Sequence, residues 1–151
     1  KCVSSRRQNF KMNLNFDQTS SARKLWVTDT SAWNVEGDDT WKNLLGKVKN
    51  SADITRFVNK NDQLLALGSQ LLQLSLLKHV FGNVSNLRIK RTSKNKPYLD
   101  KSNFEGDSRL RQWNFNVSHQ GKYVAIVSDP FYLCGVDVVE FKYPFSVSNG
   151  S

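Results

Sequence analysis

The stretch QLLALGSQLLQLSLLKHVFG, residues 63–82, is the strongest structural signal in the sequence. Its apolar residues recur at helical spacing, in one stripe and in a second stripe that widens it. The two stripes consist of Leu64, Leu67, Leu71, Leu74 and Phe81, and of Leu65, Leu72, Leu76 and Val80. This pattern predicts a long, largely buried helix. Asn61 or Asp62 can cap its start, and Lys78, His79 and Gly82 suit its end.

The segments after this helix change to the periodicity of strands. NLRIKR (86–91) and WNFNV (113–117) alternate apolar with polar residues, which predicts half-buried strands. KYVAIVS (122–128) and LCGVDVVEF (133–141) are more continuously apolar and rich in β-branched residues, so both are predicted to be strands of a central sheet. An Asp-Pro turn signal lies between them.

Two further elements precede the long helix. Residues 24–29 alternate weakly before turn-forming residues, which predicts an edge strand. DDTWKNLLGKVK (38–49) has apolar residues at helical spacing behind two aspartates and predicts a short amphipathic helix. A helix followed by several strands indicates an α+β fold in which the long helix packs on one face of an antiparallel sheet.

Composition and charge narrow the class of partner. The chain has 151 residues, which suits one domain, and its formal charge of +9 favours anionic partners such as phosphorylated cofactors, nucleic acid or acidic proteins. No apolar run approaches the roughly 20 residues that span a bilayer, so no membrane segment is expected. Cys2 and Cys134 have neither zinc-site nor disulfide-framework spacing, and no secretory signal is recognised, so a cytoplasmic protein with reduced thiols is expected.

A basic loop, RTSKNKPYLD at residues 91–100, is the first candidate binding element. The region between Arg88 and Lys101 contains six basic residues and one acid, and Pro97 closes the loop. Such a turn can gather several cations around one small anion. From residue types alone, three interpretations stay open: solvated surface, a phosphate site or a nucleic-acid contact.

Ser118, His119 and Asp137 form the second candidate group. Adjacent residues of an extended chain point to opposite sides, so Ser118 and His119 do not suit a hydrolase nucleophile and its base. A lone histidine is more often structural than functional. Asp137 lies among apolar neighbours in CGVDVV, where a carboxylate is costly unless it is paired, capped or bound to a metal ion.

Several blocks, taken together, identify a family resemblance. RFV at 56–58, Asp62, SQLLQ at 69–73, the loop at 91–100, FNVSHQGKYVAI at 115–126 and CGVDVVE at 134–140 occur in the order seen in Sfp-type 4'-phosphopantetheinyl transferases. The chain is most similar to the eukaryotic aminoadipate-semialdehyde-dehydrogenase type over about residues 24–141. The resemblance implies an N-terminal subdomain at residues 24–144, a tail at residues 1–23, and a tail at residues 145–151 that leads to a second subdomain absent from this sequence.

The resemblance implies a site for coenzyme A. In that family the basic loop and the adjacent serine and histidine bind coenzyme A. The aspartate of the Gly-Ile/Val-Asp motif, which is GVDV in this chain, holds Mg²⁺ on the diphosphate. Carried to this chain, Arg91, Lys94 and Lys96 would hold phosphates with help from Thr92. Ser118 and His119 would contact the nucleotide portion, with His119 as a donor to the 3'-phosphate, and Asp137 would be the first magnesium ligand.

Two departures from the family affect this site. Where relatives carry an arginine that contacts coenzyme A, this chain has Gln70, which is expected to weaken one contact. Where many relatives carry a second acidic metal ligand, this chain has Val139. The tryptophan-lysine-glutamate helix that supplies another ligand and the candidate catalytic base is absent, so no catalytic residue is identified in residues 1–151.

The reaction implied is transfer of 4'-phosphopantetheine from coenzyme A to a serine of an acyl- or peptidyl-carrier domain, as in lysine biosynthesis or fatty acid synthesis. A non-catalytic module that binds coenzyme A or another nucleotide is the first alternative. A basic nucleic-acid-binding domain is the second, although no RNP-like, KH-like or zinc motif supports it.

Overall fold

The structure is a computed structural model that describes residues 22–33, 35, 37–82, 87–102 and 112–141. A 3₁₀ turn at Thr30–Ala32 follows the first strand. The other elements, in chain order, are β1 (Lys24–Asp29), α1 (Asp38–Gly46), α2 (Ser51–Thr55), α3 (Lys60–Phe81), β2 (Arg88–Arg91), β3 (Pro97–Asp100), β4 (Asn114–Gln120) and β5 (Tyr123–Asp129).

The strands form two antiparallel sheets. β1, β5 and β4 make a three-stranded sheet in that order, so β1 is the edge strand that the sequence predicts. Ile126 of β5 pairs with Trp26 on one side and Val117 on the other, and it is fully buried. β2 and β3 form a separate hairpin. The α+β prediction, with a long helix on an antiparallel sheet, is confirmed.

Helix α3 lies between two hydrophobic clusters, and its two leucine stripes divide between them. Leu65, Leu72 and Leu76 pack with Trp26, Ile126 and other residues on the sheet side. The opposite stripe, through Leu67 and Leu71, belongs to a cluster formed with Trp33, Leu44, Val48 and Ile54 from the preceding segments. A helix that is apolar on two sides in this way forms the centre of the domain.

Helix α3 begins at a capping asparagine and ends at a glycine. Asn59 caps its start by accepting a hydrogen bond from the Asn61 amide (2.8 Å), so the prediction of Asn61 or Asp62 as the cap is wrong by two or three residues. The predicted end is confirmed, because the Gly82 amide donates to the Lys78 carbonyl at 2.9 Å. The helix is long and apolar enough to cross a membrane, but its packing on both sides accounts for its composition.

Residues 133–141 do not form the strand that the sequence predicts. They follow β4 in an extended course, held by side chains of β4 rather than by a backbone ladder, which explains why no strand is formed. α2 and β3 were not predicted, and β4 extends through Ser118 and His119 to Gln120. The tails predicted at residues 1–23 and 145–151 lie outside the described residues, apart from Ala22 and Arg23.

Candidate functional site

The basic loop forms the tip of the β2–β3 hairpin. The Thr92 amide donates to the Lys96 carbonyl (2.9 Å), and the Lys96 amide donates to the Thr92 hydroxyl (3.1 Å). Asn95 takes a left-handed conformation (φ 63°), which asparagine tolerates better than most residues, and its carbonyl accepts from the Arg91 guanidinium at 3.0 Å. The turn is therefore closed internally, with the side chains of Lys94 and Lys96 exposed around it.

A cavity of about 620 Å³ adjoins this turn. It lies between the α1–α2 connection, α2, α3 and β2, and its wall combines leucine and isoleucine side chains with three cations. The lining residues are Lys49, Asn50, Asp53, Gln70, Gln73, Leu74, Leu77, Leu87, Ile89, Lys90 and Arg91. Arg91 belongs both to this wall and to the hairpin tip, so the cavity and the turn are continuous.

Charge in the cavity is partly neutralised by an ion pair. The Lys90 ammonium lies 2.8 Å from an Asp100 carboxylate oxygen, and the pair joins β2 to β3. This hydrogen bond, with others from Ser102, lowers the pKa of Asp100 to about 2, and the same contact raises the pKa of Lys90. Lys49 and Arg91 have no carboxylate partner of this kind among the described residues.

Gln70 faces the cavity from the middle of α3. Its side-chain amide is 3.4 Å from the Asn50 carbonyl, a long and weak hydrogen bond. Gln70 and Arg91, which are far apart in sequence, thus line the same cavity.

Ser118 of β4 and Asp137 of the segment that follows β5 form a direct pair. The Ser118 hydroxyl donates to Asp137 Oδ1 at 2.9 Å, and the Val138 amide lies 3.1 Å from the Ser118 oxygen and 3.0 Å from the same carboxylate oxygen. Ser118 is therefore bonded to Asp137 rather than to His119. This geometry agrees with the sequence argument against a hydrolase triad.

His119 lies on the opposite face of β4 from Ser118. It follows the alternation of Phe115 and Val117, which pack into or against the sheet-side cluster, and its ring is exposed near the end of the strand. A ligand that contacts the side chains of both Ser118 and His119 must reach both faces of β4.

Cys134 lies at the start of the segment that carries Asp137 and contacts the start of β4. Its thiol contacts Asn114 Oδ1 at 3.1 Å, burial raises its pKa, and the charge of Lys96 partly offsets that shift. The hairpin that carries the turn contacts β4 through β3, and β4 holds the segment that carries Asp137. Asp137 is three residues along the chain from Cys134, which is about 10 Å in an extended chain.

Comparison with known proteins decides the family. The family model described as 4'-phosphopantetheinyl transferase, N-terminal, matches residues 31–131. The chain belongs to this family. The match covers the cavity, the basic turn and the Ser-His step, and Asp137 lies just beyond its end.

Individual relatives carry the same family name. The chain is 32% identical over 93 residues to the L-aminoadipate-semialdehyde dehydrogenase-phosphopantetheinyl transferase of Mus musculus, and 30% identical over 92 residues to that of Homo sapiens. A Xenopus laevis relative of the same name is 38% identical over 60 residues. The mouse alignment covers 60% of this chain and 29% of the mouse protein, so the chain spans less than a third of the length of the curated relatives it matches.

The structure gathers the predicted site residues of this phosphopantetheinyl transferase domain into two groups. Gln70, Arg91, Thr92, Lys94 and Lys96 belong to the cavity and turn, and Ser118 and Asp137 form the pair beyond Cys134. His119 is the residue that the structure does not bring to either group by a side-chain contact.

Sequence reasoning missed several residues of this site. Lys49 and Asn50 line the cavity, but no local sequence pattern predicts a cavity made from separate helices and a hairpin. Lys90 was one of the six basic residues counted between Arg88 and Lys101, and the structure adds its place in the cavity wall. The polar residues that hold the Asp137 segment could have been recognised in the sequence. In NFNVSHQ (114–120) every second residue has a side-chain hydrogen-bond acceptor.

The described residues contain no cluster of three or more histidine, cysteine, aspartate or glutamate side chains able to hold a metal ion. Asp137 is exposed, and one of its carboxylate oxygens already accepts from Ser118. The second oxygen is available for a cation whose other ligands come from elsewhere. Such an arrangement fits Mg²⁺, which is commonly held by one or two carboxylates together with substrate phosphates and water.

Proposed function

We propose that this chain is the coenzyme A-binding part of a 4'-phosphopantetheinyl transferase that modifies a serine of an acyl- or peptidyl-carrier domain. The proposal is carried by the continuity of the cavity and the basic turn, which share Arg91, together with the Ser118–Asp137 pair on β4, a strand that β3 contacts. An elongated molecule with phosphates at separated positions matches such a path. A single inorganic phosphate would occupy only one part of it.

The residues have distinct parts in the proposed binding. The leucine and isoleucine wall of the cavity excludes water from an apolar or planar group, while Lys49, Lys90 and Arg91 attract phosphate. Lys94 and Lys96 extend this field along the turn and hold further phosphate oxygens. His119 would reach the ligand from the other face of β4 and donate a hydrogen bond to the 3'-phosphate.

The Ser118 hydroxyl has few hydrogen-bonding positions left for a ligand. A hydroxyl has one donor, which Ser118 gives to Asp137, and one of its acceptor positions faces the Val138 amide. Ser118 therefore acts on the ligand by orienting the Asp137 carboxylate, and a direct contact to phosphate would require its O–H to rotate away. Asp137 would hold Mg²⁺, which when bound neutralises charge on the diphosphate oxygens.

Calorimetric titration with coenzyme A tests the proposal. The expected result is binding that weakens when 3'-dephospho-coenzyme A is used and that falls about 5- to 100-fold in Lys94→Ala, Lys96→Ala and His119→Ala, equivalent to about 1–3 kcal/mol. Lys42→Ala, which removes an exposed lysine of α1 outside the cavity wall, is the matched control and should leave the affinity unchanged. No binding, or binding indifferent to all three site variants, would overturn the assignment.

A further inference from the structure

A regular set of hydrogen bonds attaches residues 134–140 to β4. The Cys134, Val136, Val138 and Glu140 amides point to side-chain oxygens of β4 at 3.0, 3.0, 3.1 and 3.3 Å. The acceptors, in the same order, are Asn114, Asn116, Ser118 and Gln120. Each pair is separated by 20 residues, so the two segments run in the same direction in a constant register. We call this set the side-chain ladder.

The side-chain ladder fixes which residues of the segment face β4. Because side chains alternate along an extended chain, a slip by one residue would present the amides of 135, 137 and 139 to the same acceptors. Asp137 would then turn away from Ser118. The register of the side-chain ladder, rather than the Ser118 contact alone, therefore determines where the Asp137 carboxylate lies.

Asn116 occupies the position in the side-chain ladder that matters most for Asp137. Its Oδ1 accepts from the Val136 amide at 3.0 Å, immediately before Asp137, while Ser118 lies opposite the Val138 amide immediately after it. Asn114 has a broader structural role, because its side-chain nitrogen also donates to backbone carbonyls. These carbonyls belong to Gln112, Asp129 and Tyr132. Gln120 provides the longest contact, at the far end.

We propose that Asn116 is a positioning residue that holds the Asp137 carboxylate in place for Mg²⁺ and the diphosphate. This inference rests on the proposed function and deepens it, because it assigns control of the metal-binding end of the site to an asparagine whose side-chain oxygen holds the Val136 amide. The contact that carries this role is made by the acceptor oxygen of Asn116. A side chain of the same size without that oxygen should loosen Asp137, and one that keeps the oxygen should not.

Two variants and one control separate these possibilities in the full chain. Asn116→Leu removes the acceptor at nearly constant size, and Asn116→Asp keeps an oxygen in the same place. Asn43→Leu makes the same chemical change at an exposed position of α1 outside the cavity wall. If Asn116→Leu fails to fold, Asn116→Ser takes its place, because the shorter side chain withdraws the acceptor from the Val136 amide.

Two readouts are needed. Amide hydrogen exchange at Val136, followed by NMR, should accelerate about tenfold or more in Asn116→Leu and stay near the wild-type rate in Asn116→Asp and Asn43→Leu. Coenzyme A affinity should be measured with and without Mg²⁺. In Asn116→Leu the affinity without Mg²⁺ should be unchanged, because the lysines and Arg91 remain, whereas the tightening caused by Mg²⁺ should be lost and should return in Asn116→Asp.

The outcomes distinguish this inference from the proposed function. Wild-type Mg²⁺ tightening in Asn116→Leu would overturn the positioning role while leaving coenzyme A binding intact. Equal weakening with and without Mg²⁺ would also overturn it, since it would indicate a general loss of structure. A wild-type chain that binds no coenzyme A would overturn the proposed function and the positioning role together.

Discussion

The Ser118 hydroxyl donates a hydrogen bond to the Asp137 carboxylate across 19 residues of sequence, with an oxygen-to-oxygen distance of 2.9 Å. This contact joins the FNVSH segment to the aspartate of the GVDV segment. The two segments are separate in the sequence. The carboxylate keeps one oxygen for another ligand, so the pair can orient a metal-binding group without consuming it.

Replacing Ser118 tests that relationship. Ser118→Ala removes the hydroxyl that donates to Asp137, so coenzyme A affinity in Mg²⁺ should fall about tenfold, within the range expected for loss of an outer-shell partner. Ser118→Thr keeps the hydroxyl on a strand that accepts β-branched residues and should retain most of the affinity. Calorimetric titration makes the comparison, and an alanine variant as tight as wild type would show that the contact has no part in binding.

Adding a cation to the cavity should strengthen anion binding. Gln70→Arg places a guanidinium in the wall that already contains Lys49 and Arg91, so coenzyme A should bind about 3- to 30-fold more tightly at low salt. Asn43→Arg adds the same charge on α1 away from the wall and controls for net charge. If both variants tighten binding equally, the effect is long-range attraction and the cavity is not the phosphate site.

The parts of the fold that could be predicted are those encoded by local periodicity. The leucine spacing of α3 reflects burial against two layers, and each layer leaves its own stripe in the sequence. β1, β4 and β5 follow from alternation or from β-branched runs. α2 was missed because five residues are too few to show a helical period.

The segment at 133–141 shows why a strand-like composition is not sufficient. Its β-branched residues suit an extended chain, and the chain is extended, but the partners of its amides are side chains of β4. The composition of the segment predicts an extended chain. It does not predict whether the backbone amides of that chain bond to side chains or to the backbone of a neighbouring strand. The cavity was beyond prediction for a different reason, since Gln70 and Arg91 meet only through tertiary packing.

The Lys90–Asp100 pair predicts a specific dependence of stability on pH. The pKa of Asp100 is lowered to about 2 in the folded chain, below its ordinary value of 3.8. The stabilisation is therefore fully present above pH 4 and is lost as the pH falls towards 2. Asp100→Asn should lower the urea midpoint at neutral pH, and its difference from wild type should shrink between about pH 4 and pH 2. A difference that stays constant over this range would contradict the assignment.

Gly68 allows α3 to approach the sheet and the 3₁₀ turn closely. A Cβ at this position would lie 3.2 Å from Trp33 and Val124 side-chain atoms and 3.3 Å from Thr30. Gly68→Val should destabilise the domain by about 1–3 kcal/mol through overpacking. Gly46→Ala, where a Cβ meets nothing within 4 Å, should be neutral or stabilising by up to about 1 kcal/mol. Denaturant unfolding measures both, and an equally stable Gly68→Val would mean that the contact is looser than described.

The most direct measurement of the central claim is transfer of phosphopantetheine by a complete site that contains this chain. Residues 1–151 would be joined to the part of the mouse relative that follows its matched region, and mass spectrometry would follow an apo carrier protein incubated with coenzyme A and Mg²⁺. We expect the carrier to gain one phosphopantetheinyl group, Asp137→Ala to abolish the gain, and Asn43→Leu to leave it unchanged. A folded fusion that binds coenzyme A but leaves the carrier unmodified, or an Asp137→Ala fusion that works at the wild-type rate, would contradict it.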